Sequence, residues 1–238
     1  MFDFKTVVDR SNTDSDKWNK YKGTNILPMW VADMDFTAPP PIVEALADRV
    51  KHGVFGYSTL PNVVKHDVVN YLIKRYNWQV EEDNIIWLPG LVVGINLISK
   101  IFVEPNQSIL TCAPIYPPFL KVQNAVDRNL ITILLKQDFN GVWRFDLNKI
   151  EQSIVSAGSN KPRLILLCNP HNPVGRVWTR GELLQILDLA VKYDLLVCSD
   201  EVHCDLVLDA DKAYIPFASL NEEARLRTIT LMSPSKTY

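Results

Sequence analysis

An α/β fold built on a mostly parallel sheet, with helices covering both faces, is predicted from three features of this 238-residue sequence. From residue 84 onward, short apolar runs alternate with segments of helical periodicity. Those runs are nearly continuous in apolar residues, the pattern of strands buried on both sides rather than on one. The composition, 47% hydrophobic, 22% charged and 10% aromatic, belongs to a chain that can bury a large core.

The elements follow in order. Residues 1–45 read as an N-terminal arm and the start of a small domain, and residues 46–238 as a large domain. The arm is polar from Asp9 to Lys22 and runs through LPMWVADMDF into Ala38-Pro39-Pro40-Pro41, a run that no helix or central strand is expected to accommodate. Pro41 suits the first turn of a helix, with Ile42, Ala45, Leu46 and Val50 at helical spacing before His52-Gly53 ends it. Val64, Val68, Tyr71, Leu72 and Arg75 predict a second amphipathic helix ending near Asn77. Strands are expected at 84–88, 108–112, 130–135, 163–168, 195–199 and 228–232. Pro89-Gly90 turns the chain into a helix that reaches Phe102. Asp146 reads as the N-cap of a helix over 147–155, and Thr179 with Glu182 forms a Thr-x-x-Glu capping box for a helix reaching about Lys192.

A formal net charge of −2 with no basic block argues against nucleic acid or an anionic membrane as partner and for a small molecule. The longest apolar stretches, such as 91–98, fall far short of the ~20 residues of a membrane helix. The N-terminus is charged within three residues and has no apolar signal core, so a cytoplasmic protein is expected. Cys112, Cys168, Cys198 and Cys204 lie in or beside apolar runs without a Cys-x-x-Cys pair, as reduced and mostly buried thiols do.

Ligands on parallel sheets bind outside the carboxyl ends of the strands. That rule selects Gly90, residues 169–176, residues 200–203 and residues 233–236. Asp200 follows the apolar run LLVCS, where a carboxylate is costly to bury without a positive partner. Taken alone it reads as an acid capping a turn, and Lys236 alone reads as a solvated cation. Together, a lysine and an acid at strand ends suggest an imine-forming amine and a counter-ion for a heteroaromatic nitrogen. Two prolines stiffen the loop NPHNPVGR and present Asn172 as a fixed donor. Gly90, Leu91 and Val92 bring backbone N–H groups to a helix start, a natural phosphate cradle to which Ser233 and Ser235 could add hydroxyls. Tyr116 could stack on an aromatic ring. Two other patterns fail. Ser233-x-x-Lys236 matches a penicillin-binding motif but lacks its downstream partners, and His171, His203 and Cys204 lack metal-ligand spacing, so no metal is expected.

These residues resemble pyridoxal-phosphate (PLP) enzymes of the class I/II aminotransferase type and, within them, the cystathionine β-lyase branch of carbon–sulfur lyases. PMWVADMDF (28–36), HGVFGY (52–57), LLCNPHNPVGRVWTR (166–180), SDEVHCDLVL (199–208) and SPSKTY (233–238) carry the resemblance across essentially the whole chain. It implies that Lys236 is the Schiff-base lysine and that Asp200 partners the pyridinium nitrogen. It further implies that Asn172 bonds the ring 3-hydroxyl, that Tyr116 stacks on the ring, and that Gly90, Leu91, Val92, Ser233 and Ser235 hold the phosphate. Tyr57 takes the position of a tyrosine that reaches the neighbouring subunit's phosphate, which implies a homodimer with shared sites. His203 stands where many aminotransferases carry a tyrosine on the 3-hydroxyl. The activity implied is β-elimination from cystathionine or cysteine-like substrates to thiol, pyruvate and ammonia, with transamination as the alternative. The family also continues past the lysine with a further strand, the rest of the small domain and a carboxylate-binding arginine. On that reading the small domain is represented only by its N-terminal part, the large domain is incomplete at its C-terminal end, and the 238 residues alone should show little activity and retain at most binding.

Overall fold

In the computed structural model, which describes residues 3–237, the chain divides into two compact units, Met1–Leu60 and Pro61–Tyr238. The first unit contains little apolar core. Its one-turn helix α1 (Asp16–Asn19) is capped by the Ser15 hydroxyl, and helix α2 (Pro40–His52) starts on two prolines and stops at Gly53, whose φ of 73° is left-handed. No residue of α2 is buried within the described structure. What organises this unit is a polar knot on Asp35. That carboxylate accepts hydrogen bonds from Lys17 Nζ at 2.6 Å and from Arg10 and Trp18 Nε1 at 2.9 Å each. Lys17 first, then Trp18, hold the Asp35 pKa down to about 2.

The second unit is built in layers. Helix α3 (Asn62–Tyr76) ends at Asn77, which takes the left-handed conformation. The expected strand at 84–88 does not form. Glu82–Asn84 is a 3-10 turn, the following residues pair with no strand among those described, and Ile86 is 80% exposed. Extended backbone becomes a strand only when a neighbour accepts its hydrogen bonds, and periodicity says nothing about that neighbour. Helix α4 (Leu91–Phe102) leads to strand β1 (Ser108–Ala113), then helix α5 (Pro117–Val126) leads to strand β2 (Asn129–Leu134). A small hairpin of β3 (Lys136–Gln137) and β4 (Trp143–Arg144) precedes helix α6 (Leu147–Ser156), whose N-cap Asp146 accepts from Lys149 N–H at 3.2 Å. Strand β5 (Pro162–Cys168), helix α7 (Arg180–Lys192), strand β6 (Leu196–Asp200), the short helix α8 (Glu222–Arg227) and strand β7 (Thr228–Leu231) complete the order. The predicted capping box is present, with Thr179 and Glu182 exchanging both bonds. The sequence pattern did not reveal α5, α8 or the hairpin. Pro117 and Pro118 occupy the first turn of α5, where a missing N–H costs nothing.

The five main strands are all parallel, in the order β2-β1-β5-β6-β7. Alternate residues feed two dry layers. Leu110, Ile165, Leu167 and Val197 pack with Ile150 of α6, with Leu183 and Ile186 of α7, and with Trp178. Ile109, Leu164, Leu166 and Cys198 pack on the other side with Ile95 of α4 and with Phe119 and Val122 of α5. Helices therefore cover both faces, as the apolar runs predict. All four cysteines are free and buried, and among the described residues no helix is long and apolar enough to cross a membrane.

Candidate active site

The chain turns outward from β1 to β2 on one side and returns as β5, β6 and β7 on the other, so the switch point of the sheet lies between β1 and β5. The register aligns Cys168 with Asp200 and Asp200 with Leu231, which brings the carboxyl ends of β5, β6 and β7 level. Asn169 N–H donates to Asp200 O at 3.0 Å, and Glu201 N–H donates to Leu231 O at 2.8 Å, continuing that line into the loops.

Asp200 closes β6 with only 6% of its surface exposed. Its Oδ1 accepts from Val202 N–H at 3.1 Å, and no ion pair among the described residues includes it. Burial pushes its pKa up to about 6, opposed only by that one N–H. Glu201 beside it is wholly buried and takes three donors, Ser199 Oγ at 2.7 Å, Phe217 N–H at 2.9 Å and the Tyr214 hydroxyl. Desolvation still outweighs those bonds and raises Glu201 to about 7.

Lys236 lies on the 3-10 turn Pro234–Lys236 just after β7 and is half-buried. Ser233 caps that turn, its Oγ accepting from Ser235 N–H at 3.2 Å and lying 2.9 Å from the Ser235 hydroxyl. His203 is near enough to Lys236 that, after burial, the lysine's charge is the second cause of its lowered pKa. Tyr116 is the N-cap residue of α5 and 43% exposed. Gly90 is the N-cap residue of α4 and supplies no capping side chain, so the first N–H groups of that helix, Leu91 and Val92 among them, lack a side-chain acceptor at the cap. Asn172, half-buried, sits in a turn closed by His171 N–H donating to Arg176 O at 2.7 Å and Gly175 N–H donating to His171 O at 2.9 Å. The X–Pro bonds at Ala113-Pro114, Asn169-Pro170 and Asn172-Pro173 are cis.

Asn172, Asp200, His203, Ser233, Ser235 and Lys236 therefore follow the ends of three adjacent strands, Tyr116 follows the end of β1, and Gly90 to Val92 open a helix that packs against the same sheet. Tyr57 belongs to the first unit and is fully exposed. Sequence reasoning gave no role to Glu201, Asn169 or His171, which prove to be the buried polar supports. Asn169 donates from Nδ2 to Ile215 O at 3.1 Å and accepts Trp178 N–H at 3.3 Å, while Trp178 Nε1 donates to Cys168 O at 3.0 Å. The sequence signal for all three was their position, next to chemistry-bearing residues at strand ends.

A parallel sheet with an acid, an amide and a lysine at successive strand ends defines a cofactor-binding α/β protein. The sequence pattern of the class I and II aminotransferases matches residues 24–238, and the chain belongs to that family. It is 37% identical over 240 residues to cystathionine beta-lyase PatB of Bacillus subtilis (strain 168), covering 99% of this chain and 60% of that relative. Cystalysin from Treponema denticola, whose crystal structure contains pyridoxal 5'-phosphate, matches with a TM-score of 0.91 at 32% identity, over 100% of this chain and 61% of that one. A PLP-bound protein from Clostridium difficile 630 assigned as an aminotransferase also gives 0.91, at 38% identity, over 100% of this chain and 61% of that one. The chain thus spans about 60% of the length of the relatives it matches.

Proposed function

We propose that the intact protein carrying this chain is a PLP-dependent carbon–sulfur β-lyase of the cystathionine β-lyase type, releasing a thiol, pyruvate and ammonia from cystathionine or cysteine-like substrates. The observation that carries the reading is Asp200: a buried carboxylate with one N–H donor, no ion pair among the described residues and a pKa raised to about 6 suits a cationic ring nitrogen. The uncapped start of α4 suits a phosphate in the same way. The residues present therefore fit PLP.

Lys236 would hold the cofactor's aldehyde carbon and Asp200 its ring nitrogen. Asn172 would meet the 3-hydroxyl, where the resemblance also places His203, and Tyr116 would cover a ring face. The N–H groups of Gly90, Leu91 and Val92 and the hydroxyls of Ser233 and Ser235 would receive the phosphate. When bound, PLP supplies an electron sink beside the α-carbon of an amino acid. When free as the amine, Lys236 Nζ would accept the α-proton, oriented by the Pro234–Lys236 turn. Asp200, in its dry setting, would keep a proton on the ring nitrogen, because a buried carboxylate strongly favours a cationic neighbour. Burial first and then the nearby lysine lower the His203 pKa, which favours the neutral ring that can accept a hydrogen bond.

A homodimer with Tyr57 reaching the partner's phosphate site is part of this reading. It is supported by exposed Ile42, Leu46 and Val50 on α2 and by Tyr57 itself, since such apolar surface is normally covered by another chain. A cytoplasmic location accords with four unpaired, buried cysteines. Transamination is the second reading, favoured by the family's class description and by the Clostridium difficile neighbour. The test is to give the intact protein cystathionine with no keto-acid acceptor. Continuous pyruvate release that Lys236→Ala abolishes is expected. Turnover that requires an acceptor and yields no pyruvate would replace lyase by aminotransferase.

A further inference from the structure

The loop motif places a histidine between two prolines, and nothing in the proposed chemistry uses it. His171 is 2% exposed. Its Nε2 lies 2.9 Å from Pro114 O, an oxygen that can only accept, so Nε2 carries the proton and donates. Burial lowers the ring's pKa, which accords with a neutral imidazole. The ring stands edge-on to Trp178, with centroids 5.4 Å apart at 84°, and Trp178 is itself anchored to Cys168 O and Asn169 Oδ1. Both main-chain groups of His171 are used as well, N–H to Arg176 O and C=O from Gly175 N–H.

The bond from His171 to Pro114 O joins two loops from different strands. Pro114 begins the β1-end turn, two residues before Tyr116; His171 lies in the β5-end turn, one residue before Asn172. The loops flank the switch point of the sheet, beyond the last β1–β5 register pair, Thr111 with Leu166. We propose that His171 is a positioning residue for the cofactor ring: its Nε2–H bond to Pro114 O fixes the spacing between Tyr116, which covers a ring face, and Asn172, which meets the ring's hydroxyl. The inference rests on the PLP reading above. A hydrogen bond between loops at a sheet switch point is the means by which two separately attached side chains become one rigid seat.

Two variants separate the donor from the ring. His171→Gln keeps an N–H near Nε2 without the ring, and His171→Phe keeps an edge-on ring for Trp178 without the donor. The intact wild-type protein and both variants are loaded with PLP and compared by visible circular dichroism of the cofactor band, by PLP affinity, and by amide exchange in the apo form. His171→Phe should lose at least half of the cofactor's ellipticity and bind PLP about ten-fold more weakly, the worth of roughly one buried hydrogen bond. Peptides covering 113–120 and 169–177 should exchange faster together, while those of 180–192 stay unchanged. His171→Gln should restore most of both properties. A His171→Phe protein with wild-type ellipticity and affinity would overturn the positioning role and leave the PLP reading standing. Equal losses in both variants would overturn it too, because the donor would then not be the property that matters. A wild-type protein that acquires no cofactor band would overturn the PLP reading and the positioning role with it, whatever the exchange data show for the tie between the loops.

Discussion

Asp35 in the first sixty residues and the pair Asp200 and Glu201 at the end of β6 are held in opposite ways. In the arm, Asp35 is partly exposed, accepts from Lys17, Trp18 and Arg10, and is held down to about 2. At the end of β6, Asp200 and Glu201 are buried and are pushed up to about 6 and about 7, although Glu201 has three hydrogen-bond donors. Cations at the surface stabilise the charged form at little desolvation cost, whereas neutral donors in a dry interior do not fully offset the loss of water. The arm is thus held by charge with hardly any core. The sheet unit is held by two apolar layers that tolerate strained charge at one edge, where the site lies.

The largest break in this contrast is expected from Trp178→Ala. Trp178 has no exposed surface, packs against Phe145 with centroids 4.0 Å apart, and donates to Cys168 O. Its removal leaves a cavity and takes the indole donor from Cys168 O, for a loss of about 3–5 kcal/mol in urea unfolding of the sheet unit. A loss below about 1 kcal/mol would show that the dry layer is not what supports the strand ends.

A smaller effect sharpens the electrostatic half of the comparison. Asp200 and Glu201 have native values above their ordinary 3.8 and 4.5, so the native state binds more protons than the unfolded chain between those limits. The stability that this pair contributes to the apoprotein should therefore fall as pH rises from about 4 to about 7. Asp200→Asn with Glu201→Gln should flatten that slope in urea titrations at several pH values. A slope of the opposite sign would mean that the pair is compensated by a cation.

Thr179→Ala removes the N-cap of α7, leaving the Glu182 N–H without its acceptor, and should cost about 1 kcal/mol by the same measurement. The smallest change is expected in the arm. Asp35 has a depressed pKa, so its contribution is fully present above about 4 and disappears as pH falls through about 2. With the side chain 35% exposed, screening reduces that contribution to about 0.5–1 kcal/mol. Asp35→Asn should raise amide exchange of residues 9–35 at neutral pH about two- to five-fold and leave the sheet unit unaffected. Unchanged exchange would show that the knot does not organise the arm.

Much of this protein was legible in one dimension. Near-continuous apolar runs such as LILLC announce strands buried on both faces, and Thr179 with Glu182 announces a helix start, because both signals are local and their physics acts within a few residues. The strand-end rule then selected Asn172, Asp200 and Lys236 without any coordinates. Other features depend on neighbours far along the chain. Residues 84–88 have the pattern of a strand and pair with none among the described residues; Glu201 reads as an ordinary acid until Ser199, Tyr214 and Phe217 converge on it. His171 looked like a turn residue until its ring was found against Pro114, 57 positions earlier. The order of strands, the pairing of loops and the burial of a charge are set by which surfaces meet, and a sequence pattern carries the preference of each surface but not the identity of its partner.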